Sequence, residues 1–113
     1  MAKKLKVDTG EEKFGPYSPG INVDDYVWLS GQVDIDAGND IESQTIGTLS
    51  KIDDLLAAAN CSKSDLVKVT VLMVDLEDYS KVNEIYGKWL GDSIPPARAA
   101  YAVNSLPLGA LVE

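Results

Sequence analysis

The stretch that most constrains this chain is residues 95–113, PPARAAYAVNSLPLGALVE. Two charged side chains sit in it, Arg98 and Glu113, and almost everything around them is small or apolar. A strand with one wet face alternates polar and apolar residues. Ala97 to Val103 does not alternate, so it reads as a strand covered on both faces. An arginine in such a place needs an anion, because a buried unpaired charge costs several kcal/mol or more. That anion is either Glu113 or a ligand.

The totals narrow the field. A chain of 113 residues is one domain with room for a real core. The net charge of −8 argues against nucleic acid or an anionic membrane as main partner, since both are gripped by clustered Lys and Arg. Lys3, Lys4 and Lys6 make only a short basic start that reads as a solvated terminus. No apolar run approaches a membrane span, and the N-terminus lacks the apolar core of a signal peptide. The chain therefore reads as soluble and cytoplasmic. Cys61 is the only cysteine, which rules out an intrachain disulfide and a thiolate cluster and reads as a packing residue. Histidine is absent altogether. That removes Ser-His-Asp and Cys-His nucleophiles, imidazole bases and His-bound zinc together. Any chemistry must come from carboxylates, Arg, Tyr, hydroxyls or backbone.

Along the chain, residues 3–7 alternate and suggest a short edge strand, and Asp8 to Gly20 reads as a loop. Within it, Gly15-Pro16-Tyr17-Ser18-Pro19-Gly20 is a constrained turn that fixes Tyr17, either as a cover for the core edge or as a site residue. Tyr26 to Val33 reads as a strand broken at Gly31, with Ser30 and the Gly31 N–H available beside it. Asp34 to Asp40 reads as the polar hairpin turn. Ser43 to Ala59 is the first helix, Ser43 its N-cap, Asn60 its stop, and Ile46, Leu49, Ile52, Leu55, Leu56 and Ala59 its apolar stripe. Leu66 to Leu76 is a long strand with Val67, Val69, Val71 and Met73 on one face. Its other face turns from polar to apolar, which suggests burial against another subunit. Asp78 caps a second helix over residues 79–90, whose stripe is Tyr79, Val82, Ile85, Tyr86, Trp89 and Leu90. Asn83 lies on the stripe's border. After a turn at Asn104 to Gly109, Ala110 to Glu113 begins a final strand. The order gives an α+β domain with both helices on one sheet face, and the apolar second face calls for an oligomer.

Read together, these segments closely resemble the Rid family of reactive intermediate imine deaminases, the YjgF family. The matching pieces are Gly15-Pro16-Tyr17-Ser18, Leu29-Ser30-Gly31-Gln32, Gln44-Thr45, Leu66 to Val71, Asp75-Leu76 and Val82-Asn83-Glu84-Ile85-Tyr86. The most specific is Pro96-Ala97-Arg98, followed by Leu106-Pro107 and Val112-Glu113. The resemblance spans nearly the whole chain, in the family's order.

The resemblance implies a chorismate mutase-like mixed sheet with two helices on one face. It also implies a homotrimer whose sheets line a central barrel and whose sites lie between subunits. The implied activity is hydrolysis of short-chain 2-imino acids (2-iminobutanoate, 2-iminopropanoate) to 2-oxo acids and ammonia, with no metal or organic cofactor. By position, Arg98 matches the arginine that grips the substrate carboxylate, and Glu113 the acid that positions and activates water. Tyr17 and Ser30 match pocket residues, Gly31 a backbone contact, and Asn83 a polar pocket residue. Ala100 stands where deaminase-branch members commonly carry a cysteine, and any role for it would come from its backbone. The family's final strand runs beyond the acid, whereas this sequence stops at Glu113, so that strand is expected to be cut short. Two other readings stand beside the deaminase. One is a non-catalytic member that binds small 2-oxo acids. The other is an RNA-directed one, against which the −8 charge and the missing histidine weigh.

Overall fold

The computed structural model describes residues 3–113. Its strands are β1 (Leu5–Val7), β2 (Gly20–Val23), β3 (Tyr26–Leu29), β4 (Lys68–Met73) and β5 (Ala97–Ala102). Its helices are α1 (Ile41–Ala58) and α2 (Tyr79–Leu90). The architecture is the expected α+β domain, but the strands form two ladders. β1, β2 and β3 make an antiparallel meander, and β4 and β5 pair in parallel.

β4 holds the domain together. The β-branched residues Val69 and Val71 alternate with Thr70 and Leu72, so the strand presents two distinct faces. Val71 and Met73 pack against Val82 of α2 and Val112, with Ile41 of α1 and Ala100 of β5 at the margin. Both helices thus cover the same face of β4. On its other edge β4 takes the end of the chain: Met73 bridges Val112, and Leu72 and Glu113 exchange both backbone hydrogen bonds at 2.8 Å.

Several local expectations shift, each for a local reason. The partner of β3 is β2, inside a stretch that had no strand assigned to it. The hairpin closes at Asp24-Asp25, where Asp24 adopts a left-handed conformation (φ 51°), which a short polar side chain tolerates. Asp34 to Asp40 is not that hairpin's turn; it holds a single 3₁₀ turn leading into α1. Asp40, and not Ser43, caps α1: its carboxylate accepts from the Ser43 N–H at 2.9 Å, which also lowers the Asp40 pKa. Asn60, left-handed at φ 59°, ends the helix as expected. Asp78 makes no side-chain cap. Asp75 takes that task for the preceding turn by accepting from the Glu77 N–H.

The α1 stripe holds at Leu55 and Leu56, which are buried, but shifts in the helix's first turns. Ile46 is exposed, whereas Gln44, Thr45 and Thr48 are buried. Burying those polar groups is affordable where they are bonded. Thr45 donates to the Ile41 carbonyl (2.7 Å), and the Gln44 amide donates to the Gly38 carbonyl and accepts from the Leu111 N–H (2.9 Å each). The long strand is shorter than expected, with Val67 78% exposed just before it. β3 ends at Leu29: the Ser30 N–H still donates in register to the Pro19 carbonyl, but proline has no N–H to return and the ladder stops there.

Met73 is completely buried at the centre of this arrangement. Met73→Ala should lower unfolding stability by about 2–5 kcal/mol, because the β4–Val112 seam and α2 cannot both collapse onto the void. Urea unfolding followed by circular dichroism measures this, and a loss under about 1 kcal/mol would contradict that account of the core.

Candidate functional site

Arg98 is the only arginine of the chain and has no carboxylate within ion-pairing distance among the described residues. Its guanidinium carbon lies 5.0 Å from the centre of the Tyr86 ring and 5.7 Å from that of Tyr79. One of its terminal nitrogens donates to the Tyr79 hydroxyl at 3.2 Å. Aromatic faces attract a guanidinium without neutralising it. The result is a held, half-buried cation whose other N–H groups have no acceptor among the described residues.

The helix supplies this seat through its period. Tyr79, Asn83 and Tyr86 fall at i, i+4 and i+7 of α2, one line along the helix that lies over β5. The Asn83 amide and the Arg98 guanidinium hold the Tyr79 phenol below its ordinary pKa. Burial pushes the Tyr86 phenol up, and its hydroxyl has no partner among the described residues. Both tyrosines were read from the sequence only as members of the helix stripe. The readable signal was a pair of aromatics seven apart around a polar Asn, just ahead of a strand carrying a lone Arg.

Glu113 lies elsewhere. Register decides this: Arg98 stands opposite Val69, while Glu113 stands opposite Leu72. Those two β4 residues are an odd number apart, so their side chains leave opposite faces of the strand. The intrachain Arg98–Glu113 pair, one of the two partners open from the sequence, is not formed. Glu113 instead approaches Gly31, where any Cβ would collide with its Oε2 atom. Burial raises its carboxyl pKa. Beside it, the Ser30 hydroxyl donates to the Ser18 carbonyl at 2.7 Å, and the Ser30 N–H donates to Pro19. This ties Gly31 to the turn that carries Tyr17, whose own N–H donates to the Gly15 carbonyl.

The expected site residues therefore form two groups within one chain. Arg98 and Asn83 sit on the helix-facing side of β4–β5. Tyr17, Ser30, Gly31 and Glu113 lie along the end of β3 and the chain's last residues. Ala100 stands between Arg98 and the core, packed against the hydrophobic cluster. Its backbone is the more informative part. Ala97 and Val103 donate inward, to the Val67 and Met73 carbonyls. By alternation, residues 98, 100 and 102 turn their N–H and C=O groups to the open edge of β5. A cleft of about 540 Å³, lined by Lys63, Ser64 and Trp89 to Ser93 among others, contains none of the expected residues.

Comparisons with known proteins identify the family. The family described as Endoribonuclease L-PSP matches residues 10–113. This chain belongs to the Rid (YjgF) family. A Rid family protein of Yersinia pestis, known from its crystal structure, is 36% identical to it. The two superpose with a TM-score of 0.91, covering 97% of this chain and 94% of that one. A RutC family protein of Pyrococcus abyssi is 38% identical across all of this chain and 94% of its own length. The mouse protein named 2-iminobutanoate/2-iminopropanoate deaminase is 39% identical across all of this chain and 87% of its length. The α+β fold of this Rid protein, with two helices and two sheets, is thus the family's fold. Among the described residues no helix is long and apolar enough to cross a membrane.

The raised Glu113 carboxyl has a consequence for stability. A carboxyl with a higher pKa folded than unfolded favours folding fully only below its unfolded pKa. That contribution is lost as pH rises through the folded value. Glu113→Gln should therefore gain stability relative to wild type as pH rises from about 4 toward neutrality. Gly31→Ala, which must displace the same carboxyl, should flatten the wild-type dependence. Urea midpoints over a pH series test this; a wild-type-to-Gln difference independent of pH would show that burial does not control Glu113.

Proposed function

We propose that this Rid protein hydrolyses short-chain 2-imino acids, such as 2-iminobutanoate and 2-iminopropanoate, to 2-oxo acids and ammonia. It would act as a homotrimer in the cytoplasm, clearing a reactive metabolite. The observation that carries the reading is the unpaired Arg98 guanidinium, held between two tyrosine rings with its remaining donors free. Such a planar fork matches a carboxylate through two parallel hydrogen bonds. The likeness to the mouse deaminase supports the choice of substrate.

The split of the site supports an assembly. Arg98 and Asn83 of one subunit would meet Tyr17, Ser30, Gly31 and Glu113 of the next, closing a cleft that neither builds alone. The exposed aromatics Tyr26, Trp28 and Tyr101 suit burial in such an interface.

The chemistry asks little of the protein. Arg98 holds the carboxylate of the imino acid and so fixes C2. Glu113, whose raised pKa makes it a better base than an exposed glutamate, takes a proton from water as the oxygen adds to C2. The imine enters protonated on nitrogen, so the movement of its C=N π electrons to nitrogen gives a neutral carbinolamine. Glu113 returns its proton to the nitrogen, the C–N bond breaks as the hydroxyl O–H electrons form the C=O, the hydroxyl proton passes to the Glu113 carboxylate, and ammonia leaves. Ser30, the Gly31 N–H and the outward backbone groups of Ala100 are the polar groups available to the developing charges. Tyr17 closes the pocket. Neither a metal nor an organic cofactor enters this sequence.

Imines generated in place by an amino-acid oxidase test the proposal. Wild type should accelerate their disappearance well above the spontaneous rate. Arg98→Ala and Glu113→Gln should each lower kcat/KM by at least roughly a hundredfold. Mixed trimers of the two variants, formed by unfolding and refolding together, should recover activity in part, since some clefts then pair an intact Arg98 with an intact Glu113. No acceleration by wild type, with 2-oxo acids still protecting it against unfolding, would replace the enzyme with the carboxylate-binding reading.

A further inference from the structure

The geometry points to the Tyr79 hydroxyl as a further substrate-binding group: a donor to the ligand carboxylate that works jointly with Arg98. The inference rests on the proposed reading of the Arg98 site as a carboxylate grip and specifies how that grip is built.

The argument is an accounting of donors. A guanidinium carries five N–H donors and no acceptor. Among the described residues, one protein acceptor is available to Arg98 through its side chain, the Tyr79 oxygen at 3.2 Å. That bond has a direction, since arginine only donates and the phenol oxygen must accept. Asn83, one turn along α2, also lowers the phenol's pKa and so favours its charged form. With its oxygen accepting, Tyr79 has its own O–H proton left to place. No described residue accepts it.

An anion resting on the free side of the Arg98 fork lies within one hydrogen-bond length of that proton. The carboxylate would then accept two bonds from Arg98 and one from Tyr79, and the phenol would bridge cation and anion. Arg98 and Asn83 both make the phenol more acidic, and a more acidic O–H is a stronger donor to a carboxylate. Tyr86 cannot substitute. Its ring supports the guanidinium, but its hydroxyl is buried and unbonded.

Tyr79 is 40% exposed at the first turn of α2, so the ring can be kept and the hydroxyl removed without opening the core. The chemical consequence is selectivity for an ionised carboxylate. A neutral ester presents no charge to the fork and a weaker acceptor to the phenol.

The test uses Tyr79→Phe in the assembled protein, with 2-oxobutanoate and its methyl ester as probes in calorimetric titration. Wild type should bind the acid and discriminate against the ester. Tyr79→Phe should weaken acid binding about tenfold, the cost of one hydrogen bond to a charged group, and leave the weak ester affinity unchanged. The unliganded melting temperature should not move, which separates a binding role from a structural one. In the imine assay KM should rise with kcat nearly unchanged, the pattern of a contact equal in ground and transition states. Equal affinity of Tyr79→Phe and wild type for 2-oxobutanoate, with binding abolished in Arg98→Ala, would overturn the Tyr79 inference and leave the carboxylate site standing. Wild type that neither binds 2-oxobutanoate nor hydrolyses imines would remove the site, and this inference with it.

Discussion

The alternation of side chains along β4 governs the rest of the molecule. One edge of this strand carries β5 in parallel and the other carries residues 111–113, so every side chain on those neighbours is assigned to a face by its opposite number. The helix-facing side receives Arg98, Ala100, Val112 and the two helices. The other side receives Glu113 and Tyr101. A one-residue slip of either neighbour would move every one of these groups to the wrong face. The buried cluster of Val71, Met73, Val82 and Val112 prevents that slip, because apolar residues fit only one register. Core packing and site geometry are the same constraint seen from two sides.

Much of this was legible beforehand. Both helices and the strands around Val69–Met73 and Ala97–Ala102 follow from hydrophobic period, and Arg98 stands out as one charge in an apolar run. What escaped was set by tertiary context. The strand at Gly20–Val23 is short, glycine-led and without strict alternation, and only its pairing with β3 makes it a strand. The first turns of the α1 stripe were misread because Gln44 is buried with a hydrogen bond to Leu111, far along the chain, and Thr45 with one to the Ile41 carbonyl, while Ile46 points away from this core.

The site was legible as a set of residues but not as a shape. From order alone, Arg98 and Glu113 could pair with each other or await a ligand. The question is decided by register parity, which depends on which residue of β4 faces which neighbour. No local pattern encodes that. The roles of Tyr79 and Tyr86 were hidden for a related reason: a helix stripe looks the same whether it faces leucines or a guanidinium.

The buried amide of Gln44 carries a consequence for how the molecule assembles itself. Its two ends are chemically distinct, with the NH₂ on the Gly38 carbonyl and the oxygen on the Leu111 N–H, across a separation of 67 residues. A contact so distant in sequence closes a long loop, and such closures come late, after local helices and hairpins exist. The segment that carries Glu113 is therefore latched onto a helix already formed. Until that latch engages, the chain has its cation seat on α2 and β5 but no seated acid. The order of folding thus forms the Arg98–Tyr79 seat before Glu113 is fixed beside Gly31.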